Sequence, residues 1–297
     1  MKTLQSFMLP LLIIIGGCSG KDEPTPELPT AGKIPITLNC GVGSRATETG
    51  FEEKDQIGVY VVNYTESGEG VLQNSGNHVD NMRFTYDKDG KWNPDAMIYW
   101  KDETTKADFY IYYPYATPAN VTEHTFAVKE DQSAEAAHKA SDFLWGKASG
   151  ISPTEQAVTI QTGHIFSCAV IKVAAGNGFT EETLKAAQVS VKMNQVKTGA
   201  TINLINGASS ASGTVKSIAP FKANDGYRVL LVPQTISADN FITITVDGRD
   251  FNLAKDFTFA KGKQYTFTVT VKKTSNGVNV DINPWDNDGE DYGGTAS

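Results

Sequence analysis

Cys18 has the most clearly defined chemical role in the sequence, because it separates an apolar block from a polar segment. Lys2 provides a minimal positive start, residues 7–15 are almost entirely apolar, and two glycines directly precede the cysteine. Small residues before a cysteine fit the bacterial lipobox, in which the thiol accepts a diacylglycerol and the signal is cut just before it. We therefore predict lipid attachment at Cys18. The alternative is an ordinary secretory signal with an incidental cysteine.

The segments on either side of Cys18 agree with lipid attachment. The apolar stretch is too short to cross a bilayer, which requires about 20 residues. Residues 19–32 contain three prolines, three acidic residues and only one sizeable apolar residue, Leu28. Such a composition cannot bury enough surface to fold and favours an extended spacer. We predict a lipoprotein signal peptide at residues 1–17 and a disordered tether at residues 18–32.

Charge and cysteine content limit the remaining functions. The chain has 297 residues and a formal net charge of −8 at pH 7. Because nucleic-acid binding usually requires a basic surface, we expect no nucleic-acid partner. Cys40 and Cys168 could pair in an oxidising compartment. Each lies in a strand-like pattern, however, which favours two separate buried thiols.

Three short motifs resemble ligand sites but lack required parts. Residues 41–46, GVGSRA, have the glycine spacing of a dinucleotide loop, yet the following residues predict a loop and a strand where that site needs a helix. Residues 87–90 and 286–289 both have the pattern D-x-D-G, but neither is followed by the glutamate that closes an EF-hand loop. We predict a tight turn at residues 87–90 and a solvated tail at residues 286–289.

The sequence indicates no metal site, no cofactor and no catalytic centre. The histidines have no metal-binding spacing; they are His78, His124, His138 and His164. Since His164 directly precedes an apolar run, a structural hydrogen bond is expected there. No nucleophile elbow or phosphate-binding loop is present, so we predict a protein that is not an enzyme. Carboxylates are numerous, but their spacing does not point to a glycosidase pair.

An aromatic cluster at residues 109–115 raises one binding hypothesis. Its members are Phe109, Tyr110, Tyr112, Tyr113 and Tyr115. Such a row of rings could form a platform on which a sugar stacks. The more common arrangement, which we expect here, packs one set of rings in the core and exposes the other.

Alternation of apolar and polar residues predicts that strands form nearly the whole chain after residue 32. In the first strand Ile34, Ile36, Leu38 and Cys40 fall on one face. Residues 242–246 and 265–271 alternate in the same way, and Asn-Gly and Asp-Gly pairs mark turns between strands. Many short strands separated by turns predict β-sandwiches rather than a parallel α/β sheet.

Helices are few, and the length favours two domains. Residues 133–140 have helix-forming composition, and Thr180 is a suitable N-cap for a second short helix. About 265 residues remain after the signal and tether, more than one average domain. We predict an N-terminal β-sandwich at residues 33–150 and a C-terminal β-sandwich with a short acidic tail at residues 151–297.

Several stretches in this order together resemble the fimbrillin-like family, the lipoprotein subunits of type V pili in Bacteroidetes. They are GFEEKDQIGVYVVNY, ADFYIYYPY, SDFLWGKA, GHIFSCAVIKV, LLVPQTI, KGKQYTFTVTV and VDINPW. The resemblance extends from about residue 33 to residue 285. It implies an all-β fold of two tandem transthyretin-like Greek-key β-sandwich domains, which agrees with the strand pattern.

The resemblance also implies an assembly mechanism. In typical members a trypsin-like protease cuts after an arginine in the loop that follows the first strand, and a strand from the next subunit fills the groove left behind. Here the displaced strand would be Ile34, Ile36, Leu38 and Cys40, and the cut would fall between Arg45 and Ala46. The alternative is that Arg45 is an ordinary exposed loop residue and the strand stays.

The C-terminal residues leave open whether this subunit also donates a strand to a neighbouring subunit. After Trp285 the tail has only one large apolar residue, Tyr292. Either residues 277–285 act as the donor strand, or the subunit accepts a strand without passing one on, which suits a tip or accessory position.

The resemblance implies a non-catalytic pilus subunit at the cell outer membrane and surface. Its partners would be other pilin subunits, the outer membrane through the lipid anchor, and a host protein or glycan as adhesion ligand. The alternatives are an outer-membrane glycan-binding lipoprotein, which would use the tyrosine cluster, and a lipid-anchored hydrolase, for which no motif is present.

Overall fold

The structure is a computed structural model that describes residues 33–43 and 50–272. Strands form most of it, and the predicted all-β class with a few short helices is confirmed. In chain order the strands are β1 (Leu38–Val42), β2 (Gln56–Asn63), β3 (Val79–Tyr86), β4 (Trp92–Pro94), β5 (Ala107–Tyr113), β6 (His124–Ala127), β7 (Leu144–Ile151), β8 (Val158–His164), β9 (Ser167–Ala175), β10 (Val189–Asn203), β11 (Ala208–Ile218), β12 (Phe221–Ala223), β13 (Gly226–Leu231), β14 (Thr235–Val246), β15 (Arg249–Thr258) and β16 (Gln264–Val271).

Residues 33–43 and 50–272 contain two helices, α1 (Glu135–Lys139) and α2 (Glu181–Ala186), both close to their predicted positions. Thr180 is the N-cap of α2, and its side chain and that of Thr183 form a reciprocal capping box. Glu181 and Glu182 lie in the first turn, where negative charge suits the helix dipole. No helix in the described part of the chain has the length and apolar character needed to cross a membrane.

The strands form three sheets. The largest has seven strands in the order β1-β8-β7-β5-β2-β3-β4. A second sheet has the order β11-β10-β14-β15, with β6 also paired to β10, and a third has the order β12-β13-β9-β16. β1 runs parallel to β8, and β16 runs parallel to β9. The other strand pairs among the described residues are antiparallel.

Alternation correctly predicted which side chains are buried in several strands. Ile242, Ile244 and Val246 of β14 are all buried. The threonines between them face outward and bond across to β15, with Thr243 Oγ1 2.8 Å from Asn252 Oδ1. In β16, residues 267, 269 and 271 are likewise fully buried. Cross-strand pairs of this kind stabilise a sheet on its outer face while the apolar face joins the core.

The seven-stranded sheet is covered on both faces. We call the apolar cluster on one face the first core; it contains Ile57, Val59 and Val61 of β2, and Phe109 and Ile111 of β5. The intervening residues of the same strands point the other way. They are Tyr60, Val62, Tyr110 and Tyr112, and they join a larger second core shared with the other two sheets.

This double burial corrects the expectation for the aromatic cluster. We expected one set of rings to be exposed, but Tyr110 and Tyr112 are 3% and 1% exposed, and Phe109 is fully buried. The reason is that β5 lies in the middle of a sheet with a core on each face. A strand of this kind lacks the polar alternation of a half-exposed strand.

The predicted domain boundary falls within the seven-stranded sheet. Residues 150 and 151 lie at the end of β7, which pairs with β8 through Leu144–His164 and Trp145–Gly163. In addition, β6, which precedes the predicted boundary, pairs with β10 of the second sheet, which follows it. The division into two domains stays a prediction.

Candidate assembly site

The segment that contains β1 is an edge element held by two different parts of the fold. At its start, Ile36 N–H donates to the Ile98 carbonyl at 2.9 Å, and Trp100 N–H donates to the Ile34 carbonyl at 2.9 Å. From Leu38 onward it forms a parallel ladder with β8. Since β1 ends the sheet order, its other edge has no strand partner among the described residues.

The predicted inward face of this segment is confirmed. Ile36, Leu38 and Cys40 are 1%, 6% and 5% exposed and belong to the first core, and Ile34 is half-buried against it. Thr37 and Asn39 between them are exposed. Burial of one large aliphatic side chain stabilises a fold by roughly 1.5–3 kcal/mol. Because several side chains of this segment are buried, the segment stabilises the fold by several times this amount.

Polar contacts fix the end of β1. The Trp92 indole Nε1 donates to the Cys40 carbonyl at 3.0 Å. Thr162 Oγ1 donates to the Gly41 carbonyl at 3.1 Å, and Gly43 N–H donates to the Thr162 carbonyl at 2.7 Å. These contacts place β1 in a single register, because a shift by one residue would turn its apolar side chains outward.

The two cysteines are separate buried thiols, as predicted. Neither forms a disulfide; Cys40 lies in the first core and Cys168 in a small cluster with Val170 and Leu230. Burial raises the pKa of the Cys40 thiol to about 12, against a weaker lowering by a hydrogen bond with Thr162. Cys40 therefore remains a neutral, unreactive thiol while β1 is in place.

Loss of this segment would leave a groove with a defined shape. The backbone edge of β8 would lose its partner from Val158 to Thr162. The side chains of Val158, Ile160 and Trp92, which are buried in the first core, would lose their neighbours from β1. Unpaired strand edges and exposed apolar surface both favour the binding of another strand.

The remaining predicted site residues lie outside the described residues. Cys18 falls before residue 33, and Arg45 and Ala46 fall in residues 44–49. Residues 277–285, the candidate donor strand, follow residue 272. Lipid attachment, processing and strand donation are therefore still predictions.

The burial of the tyrosines bears on the glycan-platform hypothesis. Tyr110 and Tyr112 are inside the second core, where the Tyr112 hydroxyl donates to Asn81 Oδ1 at 2.7 Å. Tyr113 and Tyr115 are half-buried. The cluster thus does not present a continuous row of exposed rings.

Other sequence motifs have structural roles. His164 Nδ1 lies 2.7 Å from Asp142 Oδ2, which matches the expected structural contact. Residues 87–90 form the predicted tight turn, in which Asp87 Oδ1 accepts from the N–H groups of Asp89 and Lys91. Within residues 33–43 and 50–272, no group of three or more histidine, cysteine or acidic side chains is placed to hold a metal.

Sequence reasoning missed a cleft at the end of the seven-stranded sheet. We call this cavity of about 550 Å³ the end cleft. Val42, Leu144 and His164 line it from the sheet, His138 and Lys139 from α1, and Phe221 and Arg228 from the β12–β13 hairpin. These residues are far apart in sequence and share no motif, so only the fold brings them together.

The arrangement defines an all-β protein with an apolar edge strand that completes a core. The profile of the fimbrillin-like family matches residues 44–285. This covers most of the chain, and the chain belongs to the fimbrillin-like family. Comparison with functionally curated proteins gave no match.

Solved structures share this fold. A candidate cell adhesion protein from Bacteroides uniformis is 23% identical, with a TM-score of 0.63 over 83% of this chain and 95% of that chain. A candidate cell adhesion protein from Bacteroides ovatus is 17% identical, with a TM-score of 0.61 over 82% and 93%. A fimbrial protein from Bacteroides ovatus is 20% identical, with a TM-score of 0.53 over 83% of this chain and 52% of that chain.

Proposed function

We propose that this chain is a non-catalytic subunit of a cell-surface pilus, that it assembles by exchange of its first strand, and that it mediates adhesion. Membership of the fimbrillin-like family supports the pilus role. The observation that carries the exchange step is the position of β1. This strand is paired with a neighbouring strand on one side only, yet its residues Leu38 and Cys40, together with Ile36 just before it, are buried in the first core.

The physical basis of the exchange is the replacement of one strand by another of matching pattern. Removal of β1 would expose the backbone edge of β8 and the apolar side chains beneath it. A partner strand with alternating apolar residues restores both the hydrogen bonds and the burial. The subunit without its first strand is therefore poorly stable alone and stable in a polymer.

Anchoring and processing precede this step in the proposal. The diacylglycerol on Cys18 holds the precursor at the outer membrane, and the prolines of the tether keep the folded body clear of the surface. Cleavage between Arg45 and Ala46 then detaches the first strand from the rest of the chain. Gly43 and Gly50, which flank residues 44–49 with the proposed cleavage site, are both exposed.

We assign the subunit to a tip or accessory position. The groove that removal of β1 would leave beside β8 allows the subunit to accept a strand from a neighbour. Residues 286–297 contain one large apolar residue, Tyr292, and therefore have no alternating apolar pattern of their own. Exposed loops would then contact a host protein or glycan.

Immunogold electron microscopy of cells that express the full chain tests this function. We expect gold at the ends of surface filaments with the natural chain, and no filament-associated gold with Arg45→Ala. Mass spectrometry of the membrane-bound precursor should find acyl groups on Cys18. A natural chain that stays uncut and is never found on filaments would contradict the proposal.

A further inference from the structure

The first strand segment fills three inward positions with side chains of different size. Ile36 and Leu38 are large aliphatic residues that are 1% and 6% exposed, whereas Cys40, which is 5% exposed, is much smaller. A partner strand that replaces this segment has to fill the same three places, which we call positions 36, 38 and 40. The surroundings of Cys40 therefore decide how large the third inward residue of a partner can be.

Thr162 of β8 forms one wall of position 40. Its hydroxyl donates to the Gly41 carbonyl at 3.1 Å and forms a side-chain hydrogen bond with Cys40. Thr162 is 1% exposed, and its Cγ2 methyl lies so close to β7 that a Cβ on Gly146 would come within 3.1 Å of it. The side chain of Thr162 therefore has little room to move away from position 40 toward β7.

Trp92 of β4 forms a second wall. Its indole Nε1 donates to the Cys40 carbonyl at 3.0 Å, and the residue is buried in the first core. Two further rings pack against the indole: the ring centroid of Phe51 lies 4.8 Å away and that of Tyr86 lies 4.9 Å away. Because these rings hold the indole in place, it has little room to withdraw when a larger residue enters position 40.

The segment is also bonded along both of its edges. On the side of β8, the Thr37 carbonyl accepts from the Val158 N–H at 2.8 Å. On the other side, the Ile36 N–H donates to the Ile98 carbonyl at 2.9 Å, and the Trp92 indole bonds further along the same edge. A strand held in this way cannot shift sideways to accommodate a bulky side chain without losing hydrogen bonds.

We propose that the groove selects a partner strand whose inward residues are large at positions 36 and 38 and small at position 40, and that Thr162 and Trp92 set this size limit. The inference rests on the proposed strand exchange and identifies the partner by the volumes of its side chains. Protein interiors are close-packed, so extra methylene groups in a filled pocket are destabilising. The limit also fixes the register, since a shift by two residues would bring a large side chain to position 40.

Peptide competition measures the size limit. The protein is the full chain with Cys18→Ser and a specific protease site inserted within residues 44–49, which is cut before the measurement in reducing buffer. A fluorescent peptide of residues 34–43 competes with unlabelled peptides of the same sequence that carry Cys40→Ala or Cys40→Leu. We expect the Cys40→Ala peptide to bind within about fivefold of the natural sequence, and the Cys40→Leu peptide to bind about tenfold more weakly or worse.

A third peptide separates the effect of position from the effect of bulk. It carries Asn39→Leu, and Asn39 is exposed on the outer face of β1. This peptide should bind within about twofold of the natural sequence, as is usual for a surface substitution.

Two threonine substitutions in β8 locate the limit. Thr162→Ala removes one wall of position 40 and should reduce the penalty for the Cys40→Leu peptide several-fold. Thr159→Ala is the matched control, because Thr159 is exposed and pairs with Asn39, and it should leave the penalty unchanged. The penalty is the ratio of the affinities of the natural and Cys40→Leu peptides for the same protein, so a general loss of affinity cancels.

The outcomes separate this inference from the proposed function. Equal affinities of the natural and Cys40→Leu peptides overturn the size limit while strand exchange stands, and so does an Asn39→Leu peptide that binds as weakly as Cys40→Leu. A penalty that Thr162→Ala leaves unchanged, or that Thr159→Ala relieves equally, overturns the role of Thr162. If no peptide enters the groove, strand exchange and the inference both fail. The three peptides decide the size limit by themselves if Thr162→Ala does not fold.

Discussion

Trp92 and Cys40 connect the two edges of the seven-stranded sheet. Trp92 begins β4 at one edge, Cys40 lies in β1 at the other, and the indole Nε1 of Trp92 donates to the carbonyl of Cys40 at 3.0 Å. The two edges of one sheet can meet only if the sheet curves around the core between them. The first core is therefore enclosed by this sheet, and β1 closes it.

Substitution of Trp92 by Phe should loosen β1. The variant loses the bond to the Cys40 carbonyl, and a typical hydrogen bond of this kind contributes about 1 kcal/mol to stability. In a Cys18→Ser background, we expect Cys40 to react several times faster with a maleimide than in the parent chain. Mass spectrometry of peptides from a timed labelling series measures the rate, with Cys168, buried in another cluster, as an internal reference.

Trp100→Phe is the matched control for this prediction. The Trp100 indole also donates to a backbone carbonyl, that of Thr154 at 3.2 Å, but this acceptor is not in β1. Both variants should lower the free energy of unfolding by a similar amount. If the two variants expose Cys40 equally, the edge-to-edge bond does not hold β1 specifically.

The sequence was sufficient to predict which side chains of a strand face the core, but not which strands pair with each other. Alternation correctly placed Ile36, Leu38 and Cys40 inward, because the strand period of two depends only on local geometry. It could not predict that β1 pairs with β8, more than 100 residues later, or that Trp92 reaches across to Cys40. These contacts depend on the non-local order of strands, which no local pattern encodes.

The end cleft illustrates the same limit at the level of a site. Lys139 was part of a predicted helix, and Glu52 belonged to a predicted loop. Nothing in their spacing indicated that Lys139 Nζ would lie 2.8 Å from Glu52 Oε2. By contrast, Thr180 was correctly predicted as an N-cap, since capping involves residues only a few positions apart.

Gly58 should not tolerate a side chain. A Cβ at this position in β2 would overlap the ring of Tyr112 and lie 2.6 Å from Asn81 Oδ1. Tyr112 cannot easily move, because its hydroxyl lies between two acceptors, Asn81 Oδ1 at 2.7 Å and the Ala116 carbonyl at 2.8 Å, and shares its one hydrogen with them. We expect Gly58→Ala to lower the free energy of unfolding by about 1–3 kcal/mol, the usual cost of overpacking.

Urea denaturation followed by tryptophan fluorescence gives this value. Gly163→Ala in β8 is the control, because no atom lies within 4 Å of the added Cβ and the backbone there is not left-handed. It should change stability by less than about 0.5 kcal/mol. Equal stabilities for the two variants would show that Tyr112 can move aside.

His138 should make the protein less stable in mild acid. It is buried, its Nδ1 lies 3.2 Å from Gln132 Oε1, and its ring stacks on Phe221. Burial lowers its pKa to about 4, against an opposing effect of Asp142 and with a small further lowering by Arg228, whereas an unfolded chain has a histidine pKa of about 6.5. The unfolded state therefore binds more protons between these values, and stability falls as the pH is lowered from 6.5 to 4.

The loss attributable to His138 should be about 3 kcal/mol, and it should be fully developed only below pH 4, where the histidine is protonated in both states. Denaturation curves at several pH values measure it, and His138→Gln should make the profile flatter. Burial also lowers the pKa of His124, so a smaller dependence of the same sign should persist in the variant. A His138 ring that titrates near pH 6.5 by NMR would contradict this explanation.

Processing at Arg45 should convert the chain to its assembling form. Limited digestion of the full chain with a trypsin-like protease is expected to yield a polypeptide that begins at Ala46, as read by N-terminal sequencing. Arg45→Ala should remove this product. Lys101→Ala, a change at a basic residue that the structure shows to be exposed between strands, should not affect it.

The cleaved β1 fragment should remain bound until a competing strand arrives. Its inward residues and its ladder with β8 do not depend on the bond after Arg45, so cutting that bond removes the covalent link but none of the described contacts. We expect the fragment to comigrate with the body in native gel filtration and to dissociate when excess peptide of residues 34–43 is added. A fragment that leaves immediately on cleavage would mean that β1 is held mainly by its covalent connection, and that an empty groove, rather than direct displacement, precedes assembly.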